Sequence, residues 1–157
     1  MATTIPTKLK FAQVDSGTTA PAGKISFDSA TFECLLVVAG SGAPNTTNSG
    51  VQSVADVTGS NAEVTGTGYS RQTLTGVTLA NDGTINTQVD WSFGDITFAQ
   101  NAAGFTNARY AILYTTSIGS ADASYPVVAV CDLGANQSVQ AASLVLTCPT
   151  GGLIQWS

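Results

Sequence analysis

The stretch Ala108-Arg-Tyr-Ala-Ile-Leu-Tyr-Thr-Thr-Ser117 decides the fold class. In an extended conformation it sets Tyr110, Ile112 and Tyr114 on one face and Ala111, Leu113 and Thr115 on the other. Both faces are largely apolar, the pattern of a strand buried between two layers. Arg109, one of five basic residues in the chain, stands at its entrance. Its expected role is structural: it pairs with a carboxylate such as Asp132 or Asp90 at a strand end, the usual way a charge is tolerated near a core.

Downstream, Ile118–Ser124 reads as a turn region and Pro126–Leu133 as a nearly continuous apolar strand ended by Gly134. Val139–Cys148 alternates around Leu144, Leu146 and Cys148, and Leu153–Trp156 is a terminal strand fragment. Upstream, Thr84–Phe93 has the cleanest alternation, with Ile85, Thr87, Val89, Trp91 and Phe93 on one side. Gly94 shifts the phase by one residue, so Ile96 and Phe98 belong to a bulged continuation or to a new strand. Asn81-Asp82-Gly83 is a hairpin-turn signal, and Gly66, Gly68 and Gly76 divide Glu63–Leu79 into short strands.

Val51–Val57 alternates weakly and also admits a helical turn. Thr31–Ala39 is a buried strand stopped by Gly40-Ser-Gly42, and Lys24–Asp28 a short extended piece. The Gly, Asn and Thr-rich segments Gly40–Gly50 and Gln100–Asn107 are loops. Residues 1–23, Thr-rich at the start and Gly/Pro-containing at the end, are expected to form an extended arm, with one domain over 24–157. No convincing amphipathic helix, repeat or domain break emerges. Roughly eight to ten short strands with polar turns predict an all-β, antiparallel β-sandwich, jelly-roll-like or barrel-like single domain.

A chain of 157 residues is long enough to bury a core. Only 10% of it is charged, against an apolar share of 43%, so polarity comes from Thr, Ser, Asn and Gln. Such residues suit surfaces that other proteins cover, because they resist desolvation less than charges do; a β-rich chain that simply favours Thr and Ser is the equal alternative. A net charge of −5, with Lys8, Lys10, Lys24, Arg71 and Arg109 scattered, argues against phosphate neutralisation on nucleic acid and against anionic membranes. No apolar run approaches the length of a membrane span. Neither a signal peptide nor an even cysteine framework is evident. Cys34, Cys131 and Cys148 therefore read as thiols of a chain folded in a reducing cytoplasm, with a Cys131–Cys148 disulfide as the alternative.

Candidate chemistry is sparse. The chain has no His, which excludes Ser-His-Asp and Cys-His catalysis and weighs against zinc. Asp90 and Asp95 bracket Trp91 as a glycosidase pair might, but a separation of five sets them on opposite faces unless the break at Gly94 reunites them. Asn81-Asp82-Gly83 lacks the ligand repeat of a Ca²⁺ loop, and Gly66-Thr-Gly68 lacks the lysine and helix of a phosphate loop. Trp91 and Trp156 are candidates for a sugar-stacking platform, although Trp on an alternating apolar face is more often core or interface. The residues thus predict no catalytic, cofactor or metal site, and no enzyme.

Several landmarks carry a family resemblance: Glu63-Val-Thr-Gly-Thr-Gly-Tyr69, Leu74-Thr-Gly-Val77, Asp90-Trp91, Arg109-Tyr-Ala-Ile-Leu-Tyr114, Val130-Cys-Asp-Leu-Gly134 and Gly151-Gly-Leu-Ile-Gln-Trp156. Over roughly Thr31 to Trp156 the chain resembles a family of small virion structural proteins of tailed bacteriophages and prophages. The resemblance implies a β-sandwich or barrel-like virion protein without catalytic residues. The expected role is a capsid decoration (cement) protein, a homotrimer whose partners are the major capsid protein and its own copies. The arm would reach along the shell or a neighbouring subunit, and Ser41–Gly50 and Gln100–Asn107 would make contacts. Neck, head-fibre or tail-associated virion proteins are the first alternative, and a carbohydrate-binding module the second.

Overall fold

The computed structural model describes residues 2–4, 25–40, 42–44, 52–81 and 89–156. They form antiparallel sheets and one short helix: β1 (Ala2–Thr4), β2 (Phe32–Val38), α1 (Val54–Ser60), β3 (Gln72–Thr73), β4 (Thr78–Asn81), β5 (Val89–Ser92), β6 (Ile96–Phe98), β7 (Ala108–Thr115), β8 (Val127–Gln137), β9 (Leu144–Leu146) and β10 (Ile154–Trp156). The fold is all-β in character, as expected. A five-stranded sheet has the order β1-β8-β7-β2-β3, a three-stranded sheet β10-β5-β4, and β6 pairs with β9.

β7 lies at the centre of the large sheet, and every residue of it except Arg109 is buried. Its two faces feed two clusters. Ala111 and Leu113 join Cys34 and Leu36 of β2, Val128 and Cys131 of β8, and the inward residues of the two small sheets, Trp91, Ile96, Phe98, Leu146 and Ile154. Tyr110, Ile112 and Tyr114 join Leu35, Val37, Val127 and Val130, which α1 covers with Val54 and Val57. Covering both faces explains why β2, β7 and the first half of β8 read as continuous apolar runs.

Trp91 is fully buried. Its ring meets Phe32 at 4.9 Å and Phe27 at 5.5 Å edge-on, and its indole N–H donates to the Phe27 carbonyl at 3.2 Å. Lys24–Asp28 is consequently not extended in its described part. Residues 27–29 form a turn, closed by Ala30 N–H donating to Ser26 O at 2.9 Å, which swings Phe27 onto Trp91. The phase change at Gly94 is a true break: β5 ends in one sheet and β6 starts in another, with Ile96 and Phe98 inward. Gly94 itself donates to Thr75 O at 2.8 Å.

Further expectations are settled or corrected by the described elements. Of the two readings of Val51–Val57, the helical one holds over its described part, because Ser53 caps a helix. Its hydroxyl accepts from Asp56 N–H while the Asp56 carboxylate accepts from Ser53 N–H, a reciprocal cap that stabilises a helix start by about 1 kcal/mol. Gly134 does not end β8, which runs on to Gln137 through a bulge. Ala108 faces Gln137 while Tyr110 already faces Asp132, and Gly134, at φ 80°, supplies the left-handed residue. Val139 is not part of β9, which is confined to Leu144–Leu146. In Glu63–Leu79 only β3 and the start of β4 are strands, with Glu63 bridging Val37.

β4 pairs antiparallel with β5, with Asn81 opposite Val89, while the turn expected at Asn81-Asp82-Gly83 falls, after Asn81, on residues outside those described. Residues 82–88 lie outside the described residues, as do most of the expected arm (5–23), the first part of the Thr84–Phe93 strand, and 41 and 45–50 of the Ser41–Gly50 loop.

Candidate functional site: a clamped loop surface without charge

The Glu63–Tyr69 and Arg109–Tyr114 motifs converge on one cationic side chain that sequence reading left among scattered charges. Arg71, just before β3, donates from Nε to Glu63 Oε1 at 3.0 Å and from Nη2 to Glu63 Oε2 at 2.7 Å. On its other side Nη1 and Nη2 donate to Asp122 Oδ1 and Oδ2, both at 2.7 Å. Nη1 also reaches Tyr114 Oη at 3.4 Å. All five N–H groups of a guanidinium are thereby engaged. The cation also lies over the Tyr114 ring, 5.6 Å from its centroid.

The neighbours are equally committed. Tyr114 and Glu33 are register partners on β7 and β2, and the Tyr114 hydroxyl donates to Glu33. Tyr69 donates to Glu63 at 2.9 Å and accepts from Leu36 N–H at 3.0 Å. Burial pushes the Tyr69 and Tyr114 phenols upward, so both stay protonated. Hydrogen bonds to the Asp122 and Glu63 carboxylates raise Arg71 well above its usual value. The Arg71 guanidinium, in turn, holds Asp122 below the usual carboxylate value. Arg71 therefore clamps three segments to the rim of the α1-covered face: Glu63 after the helix, Asp122 in the turn before β8, and the start of β3. A chemistry-bearing site would keep donors or acceptors for a substrate; this cluster spends them on itself.

The clamp fixes the base of a loop surface. Beyond Glu63 the chain turns at Gly66 and Gly68 and closes at Tyr69, whose N–H donates to Gly66 O at 3.2 Å. A Cβ on Gly66 would lie 2.6 Å from Phe105 N, so only glycine lets this turn approach the loop of residues 100–107. Thr67 N–H donates to Ala103 O at 3.1 Å, Asn101 N–H to Val139 O at 2.9 Å and Val139 N–H to Phe105 O at 3.2 Å. Gln100 bonds Gln140 O and Ser143 Oγ. Tyr69, Phe98 and Phe105 pack beneath, with ring centroids about 6 Å apart.

The outer side of residues 65–68, 102–103, 106–107, 138 and 140–143 is exposed, and none of these positions carries a charge. Gln100–Asn107 was expected to make contacts and lies in this surface. Of Ser41–Gly50, the described residues 42–44 are anchored by Asn61, whose amide donates to Gly42 O at 2.8 Å.

The other sequence candidates fall elsewhere. Arg109 pairs with Asp132 at 2.9 Å, as expected, and lies over the Tyr110 ring. Trp91, buried beneath β5, offers no platform to a sugar. The side chain of Trp156 lies outside the described residues. Asp90 is half-buried in β5 and Asp95 exposed after it, and neither joins the Arg71 cluster. Cys34, Cys131 and Cys148 are thiols, so no Cys131–Cys148 bridge forms, and burial pushes the Cys34 thiol up, away from nucleophile character. Among the described residues no group of three or more His, Cys, Asp or Glu is placed to hold a metal ion, and no helix is long and apolar enough to cross a membrane. An apolar cavity of about 10 Å³ between Phe93, Ile96, Leu113, Cys131 and Leu146 is at the threshold for a single water.

No protein-family model, curated protein or solved structure matches the chain.

Proposed function

We propose that the protein is a virion structural protein of a tailed phage, a capsid decoration (cement) protein that stabilises the head through subunit contacts. Its two packed antiparallel layers are of the β-sandwich or jelly-roll kind, and its working form is a homotrimer bound to the major capsid protein. The observation that carries the reading is the loop surface made by residues 65–68, 102–103, 106–107, 138 and 140–143: exposed, uncharged, and braced by backbone hydrogen bonds between its loops. A surface meant only for water gains from charge. One meant to be covered avoids the cost of desolvating it, and a rigid one loses little entropy on docking.

The motif residues support the same reading, because Glu63, Tyr69, Arg71 and Tyr114 serve to hold that surface rather than to meet a substrate. The test is reconstitution. Purified protein added to expanded, undecorated heads of the phage that encodes it binds in many copies spread over the shell. Failure to bind removes the cement assignment, and binding confined to one vertex replaces it with a neck or fibre role.

A further inference from the structure

The outer edge of β8 is a bounded slot. At one end Val127 N–H donates to Gln52 O at 2.8 Å and Pro126 bridges Ser53, so that end is already covered. At the other end the Gly134 bulge carries the strand out of register after Asp132, whose Oδ1 accepts from Gly134 N–H at 2.7 Å. Between the two lie Val130, Cys131 and Asp132, with Val130 and Cys131 buried beneath the edge. β1 fills this interval in antiparallel register, Ala2 opposite Asp132, Thr3 opposite Cys131 and Thr4 opposite Val130.

The sheet order sets β1 three strand spacings from β2, about 14 Å. Residues 5–24, which lead from β1 to the turn ahead of β2, reach about 65 Å when extended. A link of this length lets β1 reach either its own β8 or the β8 of a neighbouring copy. The strand-to-strand contact is made through backbone groups, which every copy presents identically. We propose that in the assembled protein the Val130–Asp132 slot takes the Ala2–Thr4 strand of a second copy, so that copies are joined by exchange of β1. This deepens the homo-oligomer of the proposed function, on which it rests, by naming the contact. Exchange leaves each β8 edge covered, where an open edge would invite uncontrolled pairing, and the nearby copies of an oligomer supply the strand at high effective concentration.

The register provides the test, because residues directly opposite on antiparallel strands have Cα atoms within disulfide range. A donor chain carrying Thr3→Cys and Cys131→Ser is mixed with an acceptor chain that keeps Thr3 and Cys131 and bears a tag of different size. Both carry Cys148→Ser to remove the half-exposed thiol. After mild oxidation a donor–acceptor disulfide can form only between copies. The expected result is a covalent heterodimer as the main product, lost when the acceptor also carries Cys131→Ser. If the mixture stays unlinked while a single chain with Thr3→Cys and native Cys131 closes on itself, exchange is overturned. If neither links, β1 does not occupy this edge and the proposal also falls. Head binding is scored separately, so a chain that closes only on itself yet binds heads leaves the cement reading standing.

Discussion

Arg71 holds two carboxylates with which no other cation pairs among the described residues, so its loss leaves Asp122 without its ion pair and Glu63 with only the bond from Tyr69. Arg71→Met is expected to cost about 1–3 kcal/mol, a range discounted because the side chain is 26% exposed. Arg71→Lys should recover only part of this, since an ammonium cannot fork to two carboxylates at once. Urea unfolding of the two variants checks both statements. The pH dependence follows from the same group. The folded pKa of Asp122 is depressed, so its stabilisation is complete above the ordinary carboxylate value near 4 and is lost as pH falls through the folded value. Arg71→Met should therefore flatten the loss of stability below about pH 4. A variant that loses stability with acid as steeply as the native chain contradicts the clamp.

Residue-level legibility was uneven for a physical reason. The Arg109–Asp132 pair was predictable because its members flank the apolar runs by which two strands are recognised. Arg71 was not, since its partners Glu63 and Asp122 lie 8 and 51 residues away in the chain and only the tertiary fold brings both to it. The spacing of Glu63, Tyr69 and Arg71 within one short stretch was the available signal.

At the scale of elements, periodicity located the strands that are buried on both faces and the alternating β5. It failed where hydrogen bonding rather than apolar spacing sets the structure. Over Val51–Val57 apolar spacing left strand and helical turn both open, and Ser53-x-x-Asp56 is the helix-start signal that decides between them. Ser53→Ala is expected to lower stability by about 1 kcal/mol in thermal unfolding. The bulge at Gly134 was hidden because a glycine after an apolar run signals a strand's end and a bulge equally well. Gly66→Ala offers a sharper test of an element contact, because its Cβ would meet the Phe105 backbone. It should destabilise the chain by about 1–3 kcal/mol and speed hydrogen exchange at Thr67 and Asn101. Unchanged exchange there would mean that the two loops do not brace each other. Trp91 is expected to behave as core: in a Trp156→Phe variant its emission stays blue-shifted, resists acrylamide and ignores added glycans. A red-shifted, readily quenched emission would contradict its burial.

For the molecule as a whole, the sheets packed about β7 carry the loop surface at which the proposed contacts are made. The low charge of the chain pointed to a covered surface from composition alone. It could not say which residues, because that depends on which loops the fold gathers together. Contacts made through uncharged groups should hardly respond to ionic strength, whereas a carboxylate buried at such a contact goes unpaired. Thr106→Glu and Ala142→Glu are exposed substitutions expected to leave stability within about 0.5 kcal/mol of the native chain. The most direct measurement is cosedimentation of native and variant protein with undecorated heads across a salt series. The account predicts salt-insensitive binding of the native chain and a loss of about tenfold or more in affinity for each variant. Variants that bind as tightly as the native chain, or native protein that binds no heads, would contradict it.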